Sequence, residues 1–317
     1  IAIDASRNRS GGGRIHIKSI LKEFNYKKFH NVEVHVWSYP DLIEQIGDYP
    51  WLIKHKTFEK NVSLLKEVLW QRYTFNKLLK KHEIDILLNT LATSVCPFQP
   101  SISMSREMCC YEGNVMKKAG FNRQRMRLLL LKYIQNFRLK NSTGALFLTN
   151  YAANVIQKFT GKIKNYRIVN HGISEIFRGK SLKAISSSKQ IKCVYVSPIN
   201  WYKNHDTLIR AFIKLNDNNI KLTMVGGLEA GKPAVNAKKR IDRILKKFEN
   251  NKVSQNISLT GHISHDEMVD ILNNSDICVF ASSCENMPNT LVEAMSVGLP
   301  ILCSHRGPMP EVLEDGG

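Results

Sequence analysis

Short runs of β-branched and apolar residues alternate along the chain with stretches whose apolar positions recur at helical spacing. Runs at residues 1–5, 32–39, 84–89, 101–105, 145–148 and 166–169 read as strands. A second series follows at 191–197, 220–225, 257–260, 277–281 and 300–304. Strands separated by helical stretches predict parallel sheets covered by helices on both faces. Between the two series, residues 177–189 carry Ser186-Ser187-Ser188-Lys189 and mixed charge, the composition of a linker. The expected organisation is therefore α/β, with two parallel-sheet domains spanning residues 1–175 and 176–317 and a cleft between them.

Open parallel sheets bind ligands at the carboxyl ends of their strands, so the loops after strands are where chemistry is sought. The loop after the first strand runs from Asp4 to Gly13 and ends in Gly11-Gly12-Gly13 before a helical stretch. Glycines at a helix start let backbone amides approach a phosphate or a sugar. The run is not GxGxxG, and Ser38-Tyr39 closes the second strand without the acidic residue a hydride-transferring dinucleotide enzyme needs. A plain flexible turn fits the glycine run equally well. In the second domain, Lys203 lies between a strand and the helix that follows, where its ammonium can neutralise a diphosphate leaving group. By itself it also reads as a solvated surface lysine.

The most informative loop runs from Ser282 to Pro300. A strand ends there, Asn289 or Thr290 is placed to cap a new helix, and Gly298 with Pro300 stops that helix after two turns. Glu285 falls in the loop and Glu293 in the helix, each able to accept hydrogen bonds from sugar hydroxyls, while the free amides at the helix start suit a phosphate. Alone, the pair also fits a helix-end carboxylate and a surface glutamate.

The stretch from Gly261 to Glu314 resembles the family 4 retaining glycosyltransferases, which have the GT-B fold of two Rossmann-like domains with parallel sheets facing across a cleft. The E-x7-E signature is met by Glu285 and Glu293, inside Cys284-Glu285-Asn286-Met287-Pro288 and Glu293-Ala294-Met295. Gly11-Gly12, Phe147-Leu148-Thr149-Asn150, Lys203, Gly261-His262-Ile263 and the run Arg306-Gly307-Pro308-Met309-Pro310-Glu311 extend the resemblance over nearly the whole chain. It implies transfer of a sugar from a nucleotide-diphosphate donor to an acceptor, with Glu293 on the ribose hydroxyls, Glu285 on the transferred sugar and Lys203 on the diphosphate. The amides of Thr290 and Leu291 assist, and Gly11, Gly12, Asn286, Met287, Pro288 and Asn289 complete the implied donor site. The resemblance implies no metal and no cofactor, since GT-B enzymes generally do without a metal, and the sequence offers no DxD pair to hold one.

The chain departs from the family at three places. Pro198 stands where many relatives carry an arginine beside the lysine, and Arg106 stands in the region where many carry a histidine, which makes Arg106 a catalytic candidate. The sequence also stops at Gly317, before the final strand and return helices of the domain, so it reads as a fragment.

Charge widens the list of partners. The balance of 46 basic against 27 acidic side chains, net +19, implies attraction to something anionic. Residues 117–140 are basic around Phe121, Met126, Leu129, Leu130, Tyr133 and Phe137. Such a helix either lies on anionic lipid and brings a lipid-linked glycan acceptor to the site, or buries its apolar face in the domain and solvates its basic side. A nucleic-acid partner is not expected, because zinc-finger, RNP and recognition-helix patterns are missing. A nucleotide-sugar epimerase on the same fold is the alternative enzyme.

No stretch approaches the length of a spanning helix, and the chain opens on a strand rather than a secretory signal. Seven cysteines without a CxxC pair suit small buried hydrophobes in a reducing cytosol. The expected location is cytoplasmic, peripheral on the inner membrane face, in surface-polysaccharide assembly such as lipopolysaccharide, O-antigen or capsule. His171 is expected to shape the turn between domains, and His262 and His265 to accompany a helix cap at Ser264 rather than hold a metal.

Overall fold

The computed structural model describes residues 1–8, 12–59, 62–118, 122–178 and 190–316. Seven strands form the first sheet: β1 (Ala2–Asp4), β2 (Val34–Ser38), β3 (Leu52–Lys56), β4 (Leu87–Asn89), β5 (Ser101–Met104), β6 (Gly144–Phe147) and β7 (Tyr166–Ile168), in the order β3-β2-β1-β4-β5-β6-β7. Five form the second: β8 (Ile191–Val196), β9 (Ile220–Val225), β10 (Ile257–Gly261), β11 (Ile277–Phe280) and β12 (Ile301–Cys303), in the order β10-β9-β8-β11-β12. Every pairing in both sheets is parallel. The chain divides into two compact units, Ile1–Tyr111 with Phe121–His171, and Glu112–Gly120 with Gly172–Gly317.

Burial on both faces explains why these strands read as near-continuous apolar runs. Successive residues of β8 enter opposite cores: Cys193 and Tyr195 pack with Ile209, Ile241 and Leu291, while Val194 and Val196 pack with Val269, Leu272 and Ala294. In the first sheet Ile3, Val34 and Val36 share one core with Ile17 and Leu21, and Ala2 and Trp37 share the other with Phe75 and Leu79. Six of the seven cysteines are buried and all are free thiols. Burial pushes Cys96 and Cys278 up to about 12, so both are inert small hydrophobes.

Three sequence expectations need correction. Strand β3 lies outside the predicted set because its sequence, Leu-Ile-Lys-His-Lys, belongs to a solvated sheet edge. Lys54 and Lys56 there pair with Asp48 and Glu44 instead of entering the core. The expected linker begins too early: Phe177 is fully buried in the second unit's core, and Ser296 Oγ donates to its carbonyl at 3.1 Å. The remainder of that segment, 179–189, lies outside the described residues.

Residues 117–140 are also not one helix. Helix Gly113–Lys118 precedes helix Arg123–Asn141, which starts afresh at Asn122, whose side chain accepts from the amides of Gln124 and Arg125. The longer helix buries Leu128, Gln135, Arg138 and Leu139, with the Arg138 guanidinium donating to the carbonyls of Ser94 and Cys96. Met126, Leu129, Leu130, Tyr133 and Phe137 are all exposed, Tyr133 by 70%. The reading in which the apolar face is buried in the domain is therefore wrong for these five residues; Phe121 lies outside the described residues.

Candidate functional site

In an open parallel sheet the crevice opens where strand order reverses, because the connections from two neighbouring strands leave to opposite faces. In the second sheet that point lies between β8 and β11. The loops after these two strands carry Lys203 and Glu285.

Several contacts fix the first loop. Tyr195 OH donates to the Lys203 carbonyl at 2.7 Å, and Ile199 N–H donates to Gly227 O at 2.8 Å. Asn204, left-handed at φ 54°, precedes helix His205–Leu215 and donates from Nδ2 to Ala281 O at 2.8 Å. Gly226 stands against this loop so closely that a Cβ would lie 2.1 Å from Ser197 O. Two donors of Ser283, its amide and its hydroxyl, bind the Tyr202 carbonyl at 2.9 and 3.0 Å and lock the β11 loop onto the β8 loop.

The result is a contact between Lys203 Nζ and Glu285 Oε1 at 2.5 Å, with each side chain only 11% exposed. Asn286 beside it is buried, and Gly307 of the 306–311 run lies against the Glu285 backbone. A second cation stands nearby: Lys118 Nζ donates to Asn204 Oδ1 at 3.3 Å. Spacing gave no hint of Lys118, because a lysine 86 positions away becomes a neighbour only through the fold.

Helix Asn289–Ser296 follows Glu285. The expected caps, Asn289 and Thr290, are instead its first residues; Pro288 occupies the N-cap and no side chain caps the helix. Proline has no capping side chain, which leaves the amides of Asn289 and Thr290 without a partner among the described residues. The Leu291 amide is engaged with Pro288 O at 3.1 Å, which takes it out of the expected set of free donors. At the other end Gly298, at φ 74°, and Leu299 donate to Met295 O and Ala294 O, a Schellman closure that stops the helix as expected. Glu293 sits in the second turn; its carbonyl accepts from Val297 N–H at 3.2 Å, while its carboxylate has no hydrogen-bond or ion-pair partner among the described residues. Burial pushes its carboxyl up to about 7.

The other candidates belong to the first unit. Gly11 lies outside the described residues; Gly12 opens helix Gly12–Lys22. Around the β1/β4 switch point, Asp4 accepts from Ser6 N, Ser6 Oγ, Gln71 Nε2 and Ser94 Oγ, and burial raises its pKa. Asn8 Nδ2 donates to Thr90 Oγ1, and Arg7 to Thr93 O. Arg106 follows β5. A Cβ on Gly13 would lie 3.1 Å from its Nη1, and the guanidinium has no hydrogen-bond or ion-pair partner among the described residues.

Two histidines share that corner, His16 and His171, edge to face with ring centroids 4.6 Å apart. Burial and then the Arg106 charge hold His16 down at about 4; burial, His16 and Arg106 hold His171 down at about 3. Both are neutral, and His16 Nε2 is buried without a hydrogen-bond partner. His16 was not legible as a site residue, because one histidine on an amphipathic helix carries no motif. His262 and His265 fall beside a capping box made by Ser264 and Glu267, with His265 edge-on to Phe177.

The predicted residues thus fall into two groups in separate units. Lys203, Glu285 and the start of the Glu293 helix form one, and Gly12 and Arg106, with Gly13, His16 and His171, the other. The first group offers an ammonium, two carboxylates and unpaired helix-start amides, which suits a phosphorylated and hydroxylated ligand.

Residues 179–317 match the family described as Glycosyl transferases group 1. Among solved structures, a sucrose-phosphate synthase from Thermosynechococcus elongatus superposes with a TM-score of 0.74 at 15% identity, covering 97% of this chain and 82% of that one. Anabaena Alr3699/HepE in complex with UDP-glucose gives 0.69 at 13%, covering 98% and 81%. WaaG, a glycosyltransferase involved in lipopolysaccharide biosynthesis, gives 0.68 at 17%, covering 99% and 83%. At such identities the likeness speaks for the fold, which is GT-B. No curated protein sequence matches the chain.

Proposed function

We propose that this chain, whose residues 179–317 match the family Glycosyl transferases group 1, is a glycosyltransferase that moves a sugar with retention from a nucleotide-diphosphate donor to a lipid-linked glycan. The observation that carries the donor assignment is the enclosed Lys203–Glu285 pair at the β8/β11 switch point, beside a helix start with unpaired amides.

The chemistry asks for two things in the second unit. As the glycosidic bond to the diphosphate breaks, negative charge grows on the departing oxygens. A positioned ammonium and the partial positive charge of a helix start lower the energy of that state. Lys203 and the amides of Asn289 and Thr290 supply these, and we assign charge neutralisation to them rather than to a metal. A donor diphosphate competes with Glu285 for Lys203, which frees the Glu285 carboxylate to accept from sugar hydroxyls. Glu293, ionised, accepts from the ribose hydroxyls. No protein nucleophile is assigned. Retention rests on the E-x7-E resemblance, and HepE, solved with UDP-glucose, supports a nucleotide-sugar donor.

The first unit is assigned to the acceptor. The Arg106 guanidinium, without a partner among the described residues and beside two neutral imidazoles and the helix opened by Gly12, suits a hydroxylated or anionic acceptor group. The exposed apolar stripe of helix Arg123–Asn141, with Arg123, Arg125, Arg127 and Lys132 along it, supports peripheral contact with anionic lipid and hence a lipid-linked acceptor of surface-polysaccharide type, on the cytoplasmic side. No helix among the described residues is long and apolar enough to cross a membrane.

Donor binding tests the reading directly. Titration of the protein with a panel of nucleotide-diphosphate sugars is expected to show one binder, with affinity lost in Lys203→Ala. A donor that binds Lys203→Ala as tightly as the parent overturns the site.

A further inference from the structure

Three histidines converge on the β3 edge of the first sheet, apart from every residue used above. His35 is the second residue of β2, His55 the fourth of β3, and His82 caps the end of helix Asn76–Lys81. One ring nitrogen from each lies within 4.8 Å of the other two. His35 Nδ1 and His55 Nε2 are 3.0 Å apart, and the His82 ring stands 4.9 Å from that of His55 at an angle of 61°.

The surroundings orient these rings. Glu33 Oε1 lies 2.7 Å from His35 Nε2, the carboxylate–histidine pairing that puts the proton on Nε2 and leaves Nδ1 with its lone pair facing the cluster. Trp37 lies flat against His55, with centroids 4.1 Å apart and planes within 5°. His35 is buried, whereas neither His55 nor His82 is, so the cluster has a route to solvent.

We propose that His35, His55 and His82 form a zinc site that ties the edge strand β3 and the end of helix Asn76–Lys81 to β2. Imidazole nitrogens about 2.0–2.1 Å from a tetrahedral zinc lie roughly 3.4 Å apart, between the closest separation seen here and its upper bound. Small ring rotations close the difference. Binding moves the His55 proton from Nε2 to Nδ1, which frees Nε2 to face the ion beside His35 Nδ1. Three protein ligands leave a fourth position for water, and imidazole donors select borderline divalent ions over magnesium or calcium. The site rests on residues outside the donor assignment, so either can fail without the other.

Tag-free full chain, stripped with chelator and titrated with Zn2+, tests this, together with Co2+ as a spectroscopic probe. One ion per chain, a visible Co2+ band of tetrahedral intensity and a raised Tm are expected. His55→Gln and His82→Gln should each weaken binding by at least about tenfold, as should Glu33→Ala through the lost orienting bond; His30→Gln should not. Because His82 ends a helix rather than filling the core, its variant reports on the metal and not on folding. Absence of stoichiometric binding in the parent chain, or binding that survives both His55→Gln and His82→Gln, overturns the proposal and leaves a stacked histidine cluster.

Discussion

Lys203 and Glu285, 82 positions apart, meet as an ion pair at 2.5 Å across the loops that follow two neighbouring strands. Removing one partner of an enclosed pair leaves the other charge uncompensated, which costs about 3–5 kcal/mol. Lys203→Met should therefore destabilise the protein by roughly this amount and reduce donor affinity about 10- to 100-fold, the worth of a charge-assisted contact. Chemical denaturation and donor titration of the same variant measure both. A fully stable Lys203→Met would show that the pair contributes nothing to the folded state.

If the proposed donor site holds, Glu293 is expected to link stability and donor binding in opposite directions. Its carboxyl is raised from 4.5 to about 7 by burial, so the folded protein holds the proton more tightly than the unfolded chain does. That stabilisation is complete below pH 4.5 and is lost as pH rises through 7. Above pH 7, Glu293→Gln should raise stability by as much as roughly 3 kcal/mol, while donor affinity falls. In the parent, donor affinity should climb as pH passes 7. Denaturation curves at pH 5 and pH 8 with donor titrations at both decide it; a flat pH dependence of affinity would remove Glu293 from the site.

Gly226 is replaceable only at a cost to the whole crevice. Its φ of 144° is rarely adopted by other residues, and a Cβ there would lie 2.1 Å from Ser197 O and 2.5 Å from Ser197 C. Gly226→Ala must push apart the loops after β8 and β9, with an expected loss of about 2–4 kcal/mol. A lowered Tm with weakened donor binding is the expected pair of results; unchanged melting would contradict the close approach.

His16 and His171 should resist protonation. Their values, about 4 and about 3, lie below the ordinary 6.5, so the stability they contribute is present above pH 6.5 and drains away as pH falls through 4. Imidazole NMR signals that titrate near 6.5 in the folded protein would show that neither ring is enclosed beside Arg106.

The exposed stripe on helix Arg123–Asn141 predicts binding to vesicles containing anionic lipid, weakened by salt. Leu130→Asp with Tyr133→Asp should reduce sedimentation with vesicles several-fold and leave donor affinity unchanged, since both side chains are solvent-exposed. Equal sedimentation of parent and variant would count against this face as the contact.

The residues of the proposed donor site are legible in the sequence, because their signals are local. Glu285 and Glu293 are held in register by one loop and one helix, and Lys203 precedes its own helix start. Side-chain preference places the cap of helix Asn289–Ser296 at Asn289, whereas the extended backbone at Pro288 sets the first turn one residue earlier. Lys118, His16 and Gly226 carry no local signal, since each acquires its contacts only through a neighbour far away along the chain.

By itself the order of residues determined the alternation of buried strands and amphipathic helices, and with it two parallel sheets, because period-2 and period-3.6 burial are properties of short segments. Which faces those helices turn inward was decided elsewhere. Residues 123–141 carry apolar side chains that local patterning sends to a core, yet Arg138 and Gln135 occupy the interior, where carbonyls of Ser94, Cys96 and Glu107 await their donors. Only the tertiary structure brings those acceptors to the helix, and without them a guanidinium buried beside Leu128 and Leu139 would be left unpaired at high cost.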